Sequence, residues 1–248
     1  MRNIKLKISY HGKYFSGWQR QKELKTVESE IENALSKILN ENVNIFGSGR
    51  TDSGVHAIEQ IANFKTEKKI PLNAFLYGLN SILVSGIRIQ DVEEVDLNFH
   101  SRKSAKKKTY KYQIYNSNVS SPLYDDFYSW VKYPLNFQKM KEASKYFLGE
   151  HDFLSFAASK NSTKTTIRTI YDIDFQKNDK IIIFRITGNG FLMKMVRNIM
   201  GTLIEVGLGK YEPNIIPIIL EKKDRKEAGK TASASGLFLE KVYYEKYN

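Results

Sequence analysis

The sequence predicts an α+β fold with two similar lobes, each built on a mixed or antiparallel sheet flanked by helices. Two observations support this prediction. Segments in which apolar and polar residues alternate, typical of half-buried strands, are interleaved with segments whose apolar residues recur at helical spacing. Each half of the chain also has the same order of elements, strand, helix, strand and strand, without a sequence repeat. We place the boundary near residues 100–108, so that the lobes span residues 1–103 and 104–248.

The elements of the first lobe follow from local patterns. NIKLKISYHG alternates and predicts a strand, and TVESEIENALSKILNE predicts a helix that Thr26 caps. VNIF and HAIEQIANFKT predict strands on either side of a glycine-rich loop. PLNAFLYGLNSIL predicts a helix whose first turn contains Pro71, and IRIQDVEEV predicts a further strand.

The second lobe follows SRKSAKKKTYK, a segment with six cations and no acid that suits either a linker or a binding arm. TYKYQIYN predicts a strand, and NFQKMKEASKYFLG predicts a helix capped by Asn136. IRTIYDIDFQKNDKIIIFRITGNG predicts a hairpin with its turn near Asn178 and Asp179. FLMKMVRNIMGTLIEVGLG predicts a mostly apolar helix, and SGLFLEKVYYEKY predicts a closing strand.

The composition points to an anionic partner. The 248 residues include 39 lysines and arginines against 27 acids, for a formal net charge of +12, together with 15 tyrosines and 14 phenylalanines. Cations beside aromatic faces suit single-stranded or looped RNA. A lysine-rich surface that reflects a biased genome composition explains the charge equally well, so the charge alone leaves both interpretations open.

Several classes of protein are excluded or disfavoured. The absence of cysteine excludes a disulfide framework, thiolate zinc sites and cysteine nucleophiles, and suits a cytoplasmic protein. The N-terminus lacks the apolar run of a signal peptide, and no segment approaches the roughly 18 apolar residues that span a bilayer, so we expect a soluble protein. The four histidines, His11, His56, His100 and His151, lack the spacing of metal ligands, so no metal site is predicted.

The segment NIFGSGRTDSGVHA places one acid, Asp52, in a loop punctuated by glycines. It is not a dinucleotide-binding loop, because Asp52 stands where the third glycine of that motif belongs, and the Gly-Lys-Ser/Thr of a Walker loop is absent. One interpretation is a turn in which the Asp52 side chain bonds the backbone of Gly54. The other is a catalytic site, since Arg50 and Thr51 precede the acid and the loop connects two predicted strands.

The same segment carries a family resemblance. GSGRTDSGVHA resembles the GAGRTDAGVHA signature of the tRNA pseudouridine synthase A family. SYHGKYFSGWQRQ, TVESEIENAL, FHSRKSAKKKTYKYQI, HDFLSF, IRTI, GNGFLMKMVRNIMGTLIEVGLGK and ASASGLFLEKVYY resemble further family segments in the expected order, over nearly the whole chain. The sequence departs from the pattern at His11, where aspartate is usual, and at Ser48 and Ser53, where alanine is common.

The resemblance implies an isomerase that converts uridine to pseudouridine in the anticodon arm of tRNA, at positions 38, 39 and 40, without cofactor or metal. It implies a homodimer with a basic active-site cleft between two lobes. The family's invariant aspartate corresponds to Asp52, its active-site tyrosine to Tyr110 and its basic partner to Arg197. The departures leave open a paralogue that acts on other tRNA positions or on ribosomal RNA.

The chemistry accounts for a solitary carboxylate. Breaking the bond between C1′ and N1 builds positive charge on the sugar, and one carboxylate can trap C1′ or remove a proton from C2′. Because the target uridine must leave its stack, we expect Arg50 to fill the gap or hold the displaced strand; the alternative is a surface or loop-bracing arginine. Tyr110 would stack on the flipped uracil, and the alternative is a core tyrosine of a strand.

Arg197 belongs to a narrow stripe on the apolar helix. Lys194, Arg197, Asn198, Gly201 and Glu205 recur at helical spacing, and the simplest interpretation is that this stripe faces water. Gly201 argues otherwise, because a small residue permits another element to pack closely. We expect the Arg197 guanidinium to be partly buried and to pair with Asp52.

Two further classes of function compete with the enzyme. A non-catalytic RNA-binding protein, such as a folding chaperone, would keep the cations and aromatics but would not need Asp52. A membrane-surface binder also fits the net charge. It is disfavoured because no predicted helix combines a basic face with a bulky apolar face, and the polar side of the first helix is acidic.

Overall fold

The computed structural model describes residues 1–158 and 165–244, which form two compact units. The first contains residues 1–106 and 238–244, and the second contains residues 107–158 and 165–237. Both units combine helices with strands, and most strand pairs are antiparallel, which confirms the predicted α+β fold class.

The described strands are β1 (Arg2–Tyr10), β2 (Phe46–Gly47), β3 (His56–Thr66), β4 (Ile87–Val95), β5 (Lys107–Asn116), β6 (Ser129–Val131), β7 (Gly149–Asp152), β8 (Ile167–Asn178), β9 (Ile181–Gly188) and β10 (Leu237–Tyr243). The described α-helices are α1 (Val27–Leu39), α2 (Leu72–Ile82), α3 (Phe137–Ser144), α4 (Met195–Gly207) and α5 (Ile215–Lys222).

In the first unit, β1 pairs antiparallel with β3 and with β4, β2 pairs antiparallel with β3, and β10 runs parallel to β3. The alternation in β1 is confirmed, since Ile4, Leu6 and Ile8 are fully buried. The cap of α1 is also confirmed, because the Thr26 hydroxyl accepts a hydrogen bond from the backbone N–H of Ser29.

In the second unit, β9 lies between β5 and β8, β7 pairs with β8, and β6 runs parallel to β5. The predicted cap of α3 is present, since the Asn136 side chain accepts a hydrogen bond from the N–H of Lys139 at 3.0 Å. The predicted hairpin turn is also present: β8 ends at Asn178, and Asp179 has a left-handed φ of 48°.

The structure differs from the prediction at the closing strand, which the sequence placed in a second lobe of residues 104–248. In the structure β10 pairs with β3 of the first unit, with Phe238 opposite His56 and Leu239 opposite Ala57. An alternating pattern predicts a strand but carries no information about its partner, so the sequence could not assign β10. The last three residues of the predicted strand lie outside the described residues.

Smaller differences concern the limits of elements. α4 begins at Met195 rather than at the start of FLMKMV, because Lys194 has a left-handed φ of 62°. Of the predicted VNIF strand, only Phe46 lies in a strand, since β2 consists of Phe46 and Gly47. β6, β7 and α5 were not predicted from the sequence. In the part of the chain that the structure describes, no helix is long and apolar enough to cross a membrane.

Candidate active site

Asp52 lies on the loop between β2 and β3, where the backbone makes a tight turn. The carbonyl oxygen of Asp52 accepts a hydrogen bond from the N–H of Val55 at 3.1 Å, and Gly54 adopts a φ of 80°. Asp52 itself is half-buried. The backbone from Asp52 to Val55 therefore forms a turn, which fixes the position from which the Asp52 side chain extends.

The segment after β1 packs directly against this loop. Gly17 has a φ of 90°, and a Cβ atom built on it would lie 2.7 Å from the carbonyl oxygen of Thr51 and 3.2 Å from the carbonyl carbon of Asp52. The adjacent N–H of Trp18 donates to the same Thr51 oxygen at 3.1 Å. A residue with a side chain at position 17 would therefore push the loop away.

Hydroxyl groups also hold the loop. The Tyr10 and Thr51 hydroxyls are 2.8 Å apart and buried, and burial raises the pKa of Tyr10, so this hydroxyl stays protonated at neutral pH. The Ser53 hydroxyl donates to the carbonyl oxygen of Phe15 at 3.3 Å. The two residues that flank Asp52, Thr51 and Ser53, are therefore both held by hydrogen bonds.

A buried amide holds the start of the loop. The Gln60 side chain of β3 accepts a hydrogen bond from the Ser48 hydroxyl at 2.6 Å and donates to the carbonyl oxygen of Gly49 at 2.9 Å. Ser48 is one of the departures from the family pattern, and the structure gives its hydroxyl a structural role. Sequence reasoning did not identify Gln60, because a glutamine within a predicted strand gives no sign of which loop its amide will reach.

Neighbouring rings support the histidines near the loop. His56 is buried at the start of β3, its Nδ1 accepts the N–H of Gly12 at 3.1 Å, and its ring stacks on Phe238 with centroids 4.7 Å apart. His11, where the family pattern has aspartate, lies edge-on to His56 with centroids 4.9 Å apart. Among the described residues, no group of three or more histidine or acidic side chains could hold a metal ion.

Arg50 is exposed on the same loop. In the described ranges its guanidinium has no hydrogen-bond or ion-pair partner, so it does not brace the loop in the way that one interpretation of the sequence supposed. A cation two residues before Asp52 is therefore available to a ligand. Its role in substrate binding stays a prediction.

Tyr110 belongs to β5 of the second unit. Its ring is 8% exposed and packs edge-on against Phe191, with centroids 5.0 Å apart and an interplanar angle of 75°. Its register partner on β9 is Ile186. The ring is therefore firmly oriented and mostly buried.

Arg197 belongs to α4 of the second unit and is clasped by the segment around residue 232. Its Nε donates to the carbonyl oxygen of Ala232 at 2.9 Å, and the N–H of Ala232 donates to the carbonyl oxygen of Arg197 at 3.0 Å. This reciprocal pair fixes both the backbone and the guanidinium.

The stripe that contains Arg197 does not face water. Asn198 is fully buried and Glu205 is 8% exposed, and a Cβ atom on Gly201 would lie 1.6 Å from the carbonyl oxygen of Lys230. The solvent-facing interpretation is therefore wrong for these residues, and the predicted close packing at Gly201 is confirmed. Of the stripe, Lys194 is exposed at the helix start.

Asn198 has a structural role that the sequence did not predict. Its amide donates to the carbonyl oxygen of Phe156 at 2.7 Å, and its oxygen accepts hydrogen bonds from Arg225 at 3.0 Å and from Thr231 at 2.7 Å. This residue therefore ties α4 to the segment that covers Gly201 and clasps Arg197.

A comparison with protein families identifies the chain. The family model described as tRNA pseudouridine synthase matches residues 8–102 and 143–245. The chain belongs to the tRNA pseudouridine synthase family. The predicted family is thereby confirmed, and so is the predicted class of enzyme, because tRNA pseudouridine synthases are isomerases.

Curated relatives of this family match over almost the full length. The tRNA pseudouridine synthase A of Acetivibrio thermocellus is 49% identical over 244 residues, which covers 98% of this chain and 100% of the relative. That of Francisella tularensis subsp. novicida is 44% identical over 248 residues, which covers 100% of this chain and 96% of the relative. Among solved structures, a Cbf5-Nop10-Gar1 complex is similar at 12% identity with a TM-score of 0.39, over 96% of this chain and 59% of that one.

Proposed function

We propose that this enzyme isomerises uridine to pseudouridine in the anticodon stem-loop of tRNA, at positions 38, 39 and 40, with Asp52 as its one catalytic carboxylate. The observation that carries the proposal is the placement of Asp52 on a loop held by Gly17, Tyr10 and Gln60. A carboxylate that must meet one sugar atom gains from such a fixed position.

The reaction requires one ionised acid and no external reactant. The bond between C1′ and N1 breaks, the uracil turns, and C5 joins C1′. C5 then gives up its proton and N1 gains one, so the product is an isomer of the substrate. Asp52 either attacks C1′ and forms an ester, or removes the C2′ proton so that a glycal forms. Both routes use the same carboxylate, since uracil leaves as an anion without the acid that a glycosidase requires.

The remaining site residues take supporting roles in this proposal. Arg50, which has no partner in the described residues, would occupy the gap left by the flipped uridine or hold the displaced strand. The rigid ring of Tyr110 would stack on the detached uracil. Arg197 would supply positive charge to the carboxylate or to the RNA. We further propose that the enzyme is a cytoplasmic homodimer that needs no cofactor.

The test compares Asp52→Asn with Asp91→Asn on a uridine-containing tRNA transcript. Both changes remove one negative charge from the first unit, and Asp91 is an exposed residue of β4. Pseudouridine is located by carbodiimide labelling. We expect no detectable product from Asp52→Asn while its tRNA affinity and unfolding midpoint persist, and normal product from Asp91→Asn.

Two results would overturn parts of the proposal. Product from a clean preparation of Asp52→Asn would remove Asp52 as the catalytic group. Product at uridines outside the anticodon stem-loop, with wild-type enzyme, would assign a different target to this member of the family.

A further inference from the structure

The first unit contains an open recess of about 640 Å³ that Asp52 does not line. Its buried lining residues include Trp18 and Ile45, and its exposed ones include Phe46 and Arg50. The recess is also lined by His100, Arg102 and Lys103. Arg50 connects the recess to the catalytic loop, since it lies two residues before Asp52.

The two acids that line the recess already accept hydrogen bonds from other groups of the protein. Glu28 accepts hydrogen bonds from the N–H of Arg20 and from the Gln19 amide, both at 2.6 Å. Glu32 accepts the N–H of Ile45 at 2.9 Å and the Nε of Arg20 at 2.8 Å. These two carboxylates brace the wall, and Arg20 forms an ion pair with one of them, Glu32. The lining as a whole has four cations against these two acids.

Three cations of the recess lack such compensation. In residues 1–158 and 165–244, the side chains of Arg50, Arg102 and Lys103 have no acidic partner, and all three are exposed. Elsewhere in the same unit, basic side chains form ion pairs, namely Arg2 with Glu94, Lys5 with Glu93 and Lys7 with Glu59. Three uncompensated cations around one concavity favour an anionic ligand with several charges.

An exposed aromatic ring lies among these cations. Phe46 is 48% exposed, and its ring is 5.0 Å from that of His100. The backbone behind the ring is fixed, because the Ser101 hydroxyl donates to the carbonyl oxygen of Phe46 and because Gly47 packs against the Trp18 indole. An aromatic face on a rigid backbone, surrounded by cations, is the arrangement on which unpaired bases stack.

His100 places an uncharged ring beside Phe46, which suits the stacking of a base. Burial, together with the charges of Lys103 and Arg102, lowers the pKa of His100, so the imidazole is neutral at pH 7. Its Nδ1 accepts the N–H of Arg102 at 3.2 Å, which leaves the proton on Nε2. The ring therefore orients the backbone of Arg102 while it packs against Phe46.

We propose that this recess binds one unpaired nucleotide of the RNA substrate near the target uridine. Its base stacks on Phe46, and its flanking phosphates contact Arg102 and Lys103. The inference rests on the proposed function, since it takes the RNA substrate from there. It adds a second site that holds the unstacked loop while the target nucleotide is flipped toward Asp52.

The test measures the affinity for a tRNA transcript over a range of salt concentrations. The variant Arg102→Glu/Lys103→Glu is compared with Lys68→Glu/Lys69→Glu, which makes the same charge change at exposed residues of the same unit outside the recess. We expect the first variant to lose tenfold or more in affinity and to lower the slope of log affinity against log salt by about 1 to 2. We expect the second to stay within about threefold of wild type.

The aromatic contact is tested separately. Phe46→Leu keeps an apolar side chain and loses the aromatic face, and Tyr77→Leu is its control at a ring that is 71% exposed elsewhere in the unit. We expect about a five- to tenfold loss of affinity for Phe46→Leu with an unchanged salt slope, recovery in Phe46→Trp, and no loss for Tyr77→Leu.

Two results would overturn the inference. One is an equal loss of affinity in the two charge variants, and the other is equal affinity of Phe46→Leu, Phe46→Trp and wild type. These results are distinct from a failure of the proposed function. If wild-type protein binds tRNA with the expected dependence on Arg102, Lys103 and Phe46 but makes no pseudouridine, the recess stands and the catalytic proposal does not.

Discussion

Gly17 lies against the carbonyl oxygen of Thr51 so closely that a Cβ atom on Gly17 would approach it to 2.7 Å. The contact joins the loop after β1 to the loop that carries Asp52. Gly17 also has a φ of 90°, which residues with side chains rarely adopt. The position of the proposed catalytic carboxylate therefore depends on a residue that contributes no functional group.

Replacing Gly17 by alanine should have a larger effect on the rate of pseudouridine formation than on the free energy of unfolding. The added methyl group must displace Thr51 and with it Asp52, and a misplacement of about 1 Å can cost a hundredfold in rate. Gly209→Ala is the matched control, because Gly209 has a φ of 78° and nothing within 4 Å of a Cβ atom. We expect about a tenfold to hundredfold lower kcat for Gly17→Ala, while Gly209→Ala loses only about 1 kcal/mol of stability.

The measurements are steady-state kcat values and urea unfolding of both variants. A Gly17→Ala enzyme with the kcat of Gly209→Ala would show that the contact with Thr51 does not position Asp52.

The Tyr10 and Thr51 hydroxyls should be energetically coupled. Either Tyr10→Phe or Thr51→Val leaves the other buried hydroxyl without this hydrogen bond and should cost about 1–2 kcal/mol. The double variant removes both groups, so its loss should be smaller than the sum of the single losses by about 0.5–1.5 kcal/mol. Urea unfolding of the four proteins gives the coupling free energy, and strictly additive losses would contradict it.

Two helical glycines should respond oppositely to alanine. In Gly201→Ala the methyl group meets the carbonyl oxygen of Lys230 at 1.6 Å, so the segment that clasps Arg197 must move. We expect a loss of about 2–3 kcal/mol and reduced activity. In Gly78→Ala the methyl group meets only the flexible end of Ile38 at 3.3 Å, and the better helix propensity should stabilise α2 by up to about 1 kcal/mol.

Thermal or urea unfolding and the rate of pseudouridine formation distinguish these cases. If Gly201→Ala retained both wild-type stability and wild-type activity, the close packing of α4 would not support Arg197.

Two substitutions at Tyr110 separate the contribution of its ring to activity from that of its hydroxyl group. Tyr110→Phe keeps the ring against Phe191, whereas Tyr110→Ala removes it. If stacking on the uracil is the main role, the phenylalanine variant should retain much more activity than the alanine variant. Loss of activity in both would assign proton transfer to the hydroxyl, and near-normal activity in both would leave Tyr110 a residue of the core. Unfolding midpoints show whether Tyr110→Ala remains folded under the assay conditions.

Asp152, in the HDFLSF segment, should make stability depend on pH. Burial alone would raise the pKa of this carboxyl, but hydrogen bonds from Thr166 and the N–H of Leu154, with the charge of Lys223, lower it overall. A pKa lowered by folding stabilises the protein above the unfolded-state pKa, and this contribution is lost as pH falls through the folded-state pKa.

We therefore expect Asp152→Asn to cost about 1 kcal/mol at pH 7, with a difference from wild type that shrinks below about pH 4. Urea unfolding at pH 7 and at the lowest pH where both proteins remain folded measures this difference. A destabilisation that is constant over this range would show that the ionised carboxylate contributes nothing specific.

The sequence by itself determined the features that depend on neighbouring residues. The alternation in β1, the caps at Thr26 and Asn136 and the turn at Asp179 all act within a few residues, so local patterns contain them. The family assignment likewise follows from short motifs and from their order along the chain. The close packing at Gly201 was also predictable, because a glycine in an apolar helix needs a packing reason.

Only the tertiary structure decided which distant segments meet. β10 pairs with β3, Gly17 packs against Thr51, and Glu28 and Glu32 are buried although glutamates in a helix usually face water. Those two carboxylates are stabilised by backbone N–H groups and side chains from loops elsewhere in the chain. Such partners leave no periodic signal in the sequence, because hydrogen-bond donors are present at nearly every residue and only folding selects which of them reach a given acid.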